Sequence, residues 1–289
     1  MSWRIVVITK HAKLSYRNGH LIIREEETSM IHLSEINTLL IDSTEVCITT
    51  YLISELIKEK IKIIFCDEKR NPQAEVVPYY GAHNSSKRIS NQINWKKEVQ
   101  LSIWTSVIEQ KISNQLKHLK KQNLSGSDKL SCYVDELLLG DITNREGHAA
   151  KVYFNALFGK GFNRDTELNI NSALNYGYSI LLSNFNKEII SNGYLTQLGI
   201  KHCNEFNHFN LASDIMEPFR ILVDEIVYEK QDTDFDHIYK IALVDLLNKK
   251  VTIDGKEQYL TNAISIYVRS VFNALENEDA SVIKFYKYI

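Results

Sequence analysis

The stretch LGIKHCNEFNHFNLASDIMEPFRILVDEIVY, residues 198–228, decides how the chain is read. From Phe209 onward the apolar positions are Phe209, Leu211, Ile215, Met216, Phe219, Leu222, Val223, Ile226 and Val227. That spacing predicts a helix over 209–229 with one broad buried stripe. His202, Asp214, Glu217 and Arg220 stand among these residues. Asp214 and Glu217 are three apart, so on a helix both carboxylates lean to nearly the same side. Two acids so placed repel unless a cation sits between them, either a bound divalent metal or a neighbouring Arg or Lys. Pro218 has no N–H for the carbonyl of Asp214, so the helix starts or bends there and frees a carbonyl beside the acids.

Upstream, the pattern changes from helix to strand. Residues 1–80 predict strands at 4–9, 13–16, 20–24, 29–33, 38–41, 61–66 and 73–77, with one short helix over 49–60. Asn18-Gly19 lies between two of these strands and suits a tight type I′ hairpin. Residues 78–90, PYYGAHNSSKRIS, carry Pro78, Gly81 and a polar run. They place a linker at 81–90 between a β-rich domain over 1–80 and a helical domain over 91–289. The predicted fold class is therefore α+β: a β-sandwich-like N-terminal domain followed by a larger all-α domain. Lys87 and Arg88, at the linker's end, suit either a phosphate contact or plain solvation.

The helical part opens with a long helix over 89–121, whose stripe is Trp95, Val99, Trp104, Ile108, Ile112, Leu116 and Leu119. Lys111, Lys117, Lys120 and Lys121 read as its solvated face. Further helices are predicted at 131–139, 143–158, 171–190, 235–249 and 258–276. Residues 141–158, DITNREGHAAKVYFNALF, hold a second acid of interest, Glu146. Thr143 and Glu146 fit a capping box, S/T-x-x-E. The other reading is a metal ligand, because Gly147, Ala149 and Ala150 let a second helix or a ligand approach and no partner cation is adjacent in sequence. In 171–182, NSALNYGYSILL, Tyr178 is either a core tyrosine or a phosphate contact.

Composition bounds the function. The chain has 289 residues, 44% hydrophobic and 24% charged, with a net charge of -2. This suits about two globular domains and argues against bulk basic binding, so any nucleic-acid contact has to be locally charged. Cys47, Cys66, Cys132 and Cys203 form no CxxC pair, which argues against zinc and for reduced, mostly buried thiols of a cytoplasmic protein. No signal-peptide pattern and no membrane-spanning apolar run is present in the sequence.

Three blocks, REGHAAKVYF at 145–154, NSALNYGYSILL at 171–182 and LGIKHCNEFNHFNLASDIMEPFRILVD at 198–224, resemble one family in order and spacing. It is Cas-one, the CRISPR spacer-acquisition integrase, and the likeness is closest to members from type II systems. One departure is Lys201, where some members carry a second histidine. The resemblance implies a catalytic metal site of Glu146, His202 and Glu217 for Mg²⁺ or Mn²⁺, with Asp214 as a supporting acid. Oxygen donors with one imidazole suit those ions. His208, nine residues before Glu217, would point about half a turn away on a helix, and His148 lies on a different face from Glu146. Arg220 and Lys201, then Lys151 and Arg145, are the candidates to grip DNA phosphate; an i,i+4 pair with Asp224 is the alternative for Arg220.

The activity so implied is metal-dependent insertion of short foreign DNA into the CRISPR array by 3′-hydroxyl attack on a repeat phosphodiester. The implied partners are double-stranded DNA and a small Cas-two protein. The implied assembly is a heterohexamer of two Cas-one homodimers, built through the β-rich domain, and one Cas-two dimer. The alternative activity is a stand-alone metal-dependent nuclease acting on branched or double-stranded DNA. A third reading, a non-enzymatic helical module, leaves Glu146 as a helix cap only.

Overall fold

The computed structural model describes residues 4–79, 82–166 and 168–288; Gly81 of the expected linker lies outside them. The chain divides into two compact units, one of 1–80 with 247–249 and one of 81–246 with 250–289.

In the first unit, β1 (Arg4–Ile8), β5 (Ile36–Ile41), β7 (Lys62–Cys66) and β8 (Pro72–Glu75) form one sheet in the order β1-β5-β7-β8. The first three run parallel and β8 is antiparallel. A second sheet has the order β4-β3-β2-β6, from β2 (Ala12–Arg17), β3 (His20–Arg24), β4 (Thr28–His32) and β6 (Val46–Ile48). Helix α1 (Thr50–Lys58) follows, capped where the Thr49 hydroxyl accepts from the Leu52 N–H. Ile8, Leu14, Leu21, Ile36, Leu39, Leu52 and Ile63 of both sheets and the helix share one core, which makes the unit sandwich-like. Asn18 (φ 48°) and Gly19 (φ 78°) both adopt positive φ between β2 and β3, the conformation a type I′ turn requires.

The second unit is mainly helical: α2 (Ser85–Ile93), α3 (Lys97–Lys121), α4 (Ser127–Asp135), α5 (Arg145–Phe158), α6 (Asn169–Ser191), α7 (Asn210–Ile215), α8 (Ile221–Glu229), α9 (His237–Asp245) and α10 (Leu260–Asn277). The single long helix expected over 89–121 is two. The Asn94 amide donates to the Ser90 carbonyl and closes α2, while Trp95 packs on Tyr194. The apolar period continues across this break, so periodicity alone reads through it. The expected linker segment likewise contributes Ser85–Ser90 to α2.

The helix expected over 209–229 is α7, a 3-10 turn at Glu217–Phe219, and α8. Pro218, without an N–H, sits in the turn. Its carbonyl accepts from the Asn114 amide and the Tyr286 hydroxyl, both at 3.0 Å. Phe219 then packs against Phe185, Tyr267 and Tyr286, which anchors the turn in the core.

The unit is not all-α. β9 (Lys250–Ile253), β10 (Lys256–Tyr259) and β11 (Tyr286–Lys287) form a three-stranded antiparallel sheet. Asp254-Gly255, both at positive φ, makes the β9–β10 turn; this dipeptide is the sequence signal for the hairpin. No helix among the described residues is long and apolar enough to cross a membrane. All four cysteines are free thiols, but only Cys66 is buried. The others face solvent, contrary to the expectation of mostly buried thiols.

Candidate active site

Glu146 and Glu217 reach the site from different elements. Glu146 occupies the first turn of α5. The capping box with Thr143 does not form. Asn144 is the N-cap and accepts from the Gly147 N–H, and the Asp141 carboxylate accepts from the N–H groups of Arg145 and Glu146 at 2.7 and 3.0 Å. With the helix end satisfied by these two residues, the Glu146 side chain is released to project inward. Glu217 stands at the head of the 3-10 turn that Pro218 imposes.

Both carboxylates converge on one ammonium. Lys111 Nζ, from α3, lies 2.6 Å from Glu146 Oε1 and 2.5 Å from Glu217 Oε2. Arg220 Nε adds a 2.8 Å bond to Glu217 Oε1. The cation lies between Glu146 and Glu217, not between Asp214 and Glu217 as the spacing suggested, and it is a lysine; Lys111 belongs to the buried interior of α3 rather than to its solvated face. It is also the partner cation that Glu146 lacks in the sequence. Lys117, Lys120 and Lys121 are exposed. Burial alone lowers a lysine's pKa, but Glu217 and Glu146 outweigh it and hold Lys111 above its ordinary value. Burial alone raises a glutamate's; Arg220 and Lys111 outweigh it and hold Glu217 below.

Asp214 serves the imidazole instead. It is fully buried and accepts from the backbone N–H groups of Ile200 (2.6 Å), Lys201 (2.8 Å) and His202 (3.2 Å). His202 Nδ1 is bonded to the same carboxylate. Gly199 permits this clasp, because a Cβ there would lie 2.4 Å from the His202 carbonyl and 2.7 Å from Asp214 Oδ2. With Nδ1 committed, Nε2 is the ring's remaining donor atom for a ligand, the arrangement by which carboxylates orient metal-binding histidines. The His202 pKa is raised first by the bond to Asp214, with smaller contributions from the charges of Asp214, Glu146 and Glu217, while burial opposes. The ring meets Trp104 edge-on at 5.7 Å.

The donor set suits a hard divalent ion: two carboxylates face one cation position and an imidazole is oriented nearby. Glu217 Oε2 is buried and, although close to the ammonium, accepts no well-directed hydrogen bond. Among the described residues, however, no three His, Cys, Asp or Glu side chains close around one point. The structure therefore brings the two glutamates together around Lys111 and holds His202 on the Asp214 clasp.

The expected phosphate-binding residues fall into two groups. Lys87 and Lys151 are exposed. Arg88 is bonded to Glu276 and Tyr194, Arg145 pairs with Glu136 at 2.8 Å, and Lys201 Nζ donates to the Gly140 carbonyl at 3.0 Å. Arg220 pairs with Glu217 rather than Asp224 and lies over the Tyr178 ring at 4.6 Å. Tyr178 is buried and its hydroxyl donates to Asp224, so it is turned away from the phosphate contact considered for it. Burial pushes Asp224 up to about 6. His208 and His148 are exposed. Sequence reasoning gave no site role to Asp141 or Asn144 and read Lys111 and Asp224 otherwise; Asn144, directly before the α5 start, and Asp141, an acid four residues before it, carried local capping signals.

A family model described as CRISPR associated protein Cas1 matches residues 5–234. A CRISPR-associated endonuclease Cas1 from Neisseria meningitidis serogroup C (strain 8013) is 31% identical over 291 residues, covering 98% of this chain and 96% of that protein. A casposase bound to integration product superposes with a TM-score of 0.76 at 22% identity, covering 97% of this chain and 93% of that one. A chain of a Cas6-RT-Cas1–Cas2 complex gives a TM-score of 0.73 at 22% identity, covering 99% of this chain but 36% of that one. At these identities the two structural likenesses concern the fold alone.

Proposed function

The chain belongs to the Cas1 family of CRISPR-associated proteins, and from that premise we propose that it is the integrase of CRISPR adaptation. Its substrate is a short double-stranded DNA with free 3′-hydroxyls, and its target is a repeat phosphodiester. The attacking 3′-oxygen forms a new bond to phosphorus as the old P–O bond breaks and releases a 3′-hydroxyl. One phosphodiester replaces another, so no nucleotide cofactor is consumed. The observation that carries this reading is the convergence of Glu146 and Glu217 on a single cation position, beside an imidazole that Asp214 orients.

Glu146, Glu217 and His202 Nε2 are the residues that would hold Mg²⁺ or Mn²⁺. Bound there, the ion supplies Lewis acidity toward a phosphate oxygen and stabilises the charge that develops in the displacement. Asp214 keeps the imidazole in one tautomer, and Arg220 fixes the rotamer of Glu217. Lys87 and Lys151, both exposed, are the cations this reading assigns to the DNA backbone. The name of the Cas1–Cas2 structural neighbour supports a small Cas2 protein as partner. A homodimer built through the sandwich-like unit, two such dimers flanking a Cas2 dimer, completes the proposed assembly.

The test supplies a labelled duplex with free 3′ ends and a repeat-containing plasmid to the purified chain and its Cas2, with Mn²⁺ or with chelator. Joined product that requires Mn²⁺ is expected. Cleavage without joining favours the stand-alone nuclease, and joining that survives chelation rejects the metal site.

A further inference from the structure

We infer that Lys111 is a tethered cation that occupies the metal position and has to be displaced before a divalent ion binds. This inference rests on the metal site proposed above and concerns its regulation. Three observations carry it. The ammonium stands within 2.6 Å of both candidate ligand carboxylates, so it engages the same acids that would hold a divalent ion. The Lys111 side chain is 11% exposed, so the pair is shielded from the water that weakens surface ion pairs. Finally, Lys111 has somewhere to go. A cavity of about 140 Å³ opens beside it, lined by Lys111, Gln115, Arg164, Tyr178, Glu217 and Asp224 among others. The flexible four-carbon stem of lysine lets the charge withdraw into that space, which the rigid guanidinium of an arginine would not.

The ion and the ammonium satisfy the same two acids, so each excludes the other. In the metal-free protein the lysine keeps the buried Glu217 carboxylate and the partly exposed Glu146 carboxylate from repelling and holds their spacing. The metal then binds only the fraction of molecules in which the lysine has swung away, and its apparent affinity falls by that fraction. A chain of this design holds its ion weakly by itself. Substrate phosphate, which brings further oxygen ligands and takes up positive charge, would complete the exchange.

Mn²⁺ binding to the purified full-length chain, read from the free-ion electron paramagnetic resonance signal, tests this without any turnover. Lys111→Met is expected to bind Mn²⁺ about tenfold more tightly than wild type, corresponding to a lysine absent from the site about a tenth of the time. The binding is expected to vanish when Glu146→Gln is added. Metal-free Lys111→Met should melt below wild type and be restored by Mn²⁺. If that variant does not fold, Lys111→Gln is measured in its place. In wild type, Mn²⁺ should also speed acetylation of Lys111 by acetic anhydride, read by mass spectrometry, and Glu146→Gln should abolish that acceleration. Equal or weaker Mn²⁺ binding by the lysine variants, with wild-type binding still dependent on Glu146, overturns the displacement and leaves the metal site standing. Absence of Glu146-dependent Mn²⁺ binding in every protein, together with unchanged acetylation, overturns both.

Discussion

Asp214→Asn replaces one oxygen of a fully buried carboxylate and tests whether Asp214 is the clasp on which His202 depends. The carboxylate accepts from the backbone N–H groups of Ile200, Lys201 and His202 and is bonded to the His202 ring. Hydrogen bonds to a charged acceptor contribute about 1.5–3 kcal/mol each. The amide keeps one carbonyl oxygen but turns an NH₂ toward donors, so about half of these contacts are lost. The expected cost is about 3–5 kcal/mol, a large share of the roughly 5–15 kcal/mol that holds a domain folded. With a urea slope of about 1–3 kcal/mol per molar, the midpoint falls by about 2 M. Tryptophan fluorescence reports the loss locally, since buried Trp104 meets the His202 ring at 5.7 Å.

A second readout separates the clasp from general damage. The bond to Asp214 is the largest cause raising the His202 pKa, so an NMR titration should show that value fall in Asp214→Asn. A raised histidine contributes stability that is fully present below its unfolded pKa of about 6.5 and lost as pH rises through the folded value. The stability gap between wild type and variant should therefore be wider at acidic than at alkaline pH. The widening is small, because 46% of the ring is exposed and screened. A loss below about 1 kcal/mol with an unchanged His202 titration would refute the role assigned to Asp214.

Three further outcomes are expected. Glu146→Gln and Glu217→Gln should both abolish metal-dependent DNA joining in a gel assay. Glu217→Gln should also cost about 3–5 kcal/mol, since its side chain is 5% exposed and pairs with both Lys111 and Arg220; Glu146→Gln should cost about 1 kcal/mol. Burial raises Asp224 from 3.8 to about 6, so its favourable contribution is complete below about pH 4 and is lost as pH rises through 6. That is about 3 kcal/mol by linkage. Comparing urea midpoints of wild type and Asp224→Asn from pH 4 to 8 should show the relative stability of the variant rising with pH; a flat difference contradicts the assignment. Gly199→Ala should lower the urea midpoint by about 1–2 M, because its methyl meets the His202 carbonyl and Asp214 Oδ2, and an unshifted midpoint would show that the loop yields.

Much of the fold was written in local pattern. Period-two runs around Asn18-Gly19 marked the hairpin, and the stripe of 209–229 marked a helical stretch with a proline in it. The bend at Glu217–Phe219 was legible from Pro218, but the break at Asn94–Lys96, inside an unbroken apolar period, was not. A stripe records which side of the chain is buried, and it continues unbroken when the backbone bends without turning that side to water. The short strands β9 to β11 were missed because, apart from Asp254-Gly255, strands of two to four residues leave too little alternation to count.

By itself, the sequence determined the family blocks and the β-to-α order, and the resemblance those blocks carry nominated Glu146, His202, Asp214 and Glu217. Tertiary structure decided what those residues do to one another. Lys111, Asn114, Gln115 and His118 share α3 and are all buried, since that helix is covered on more than one side. Its lysine therefore faces two carboxylates rather than solvent. The charge of a side chain is fixed by its chemistry, but its partner is fixed by which distant helix is folded against it, and no spacing along the chain records that distance.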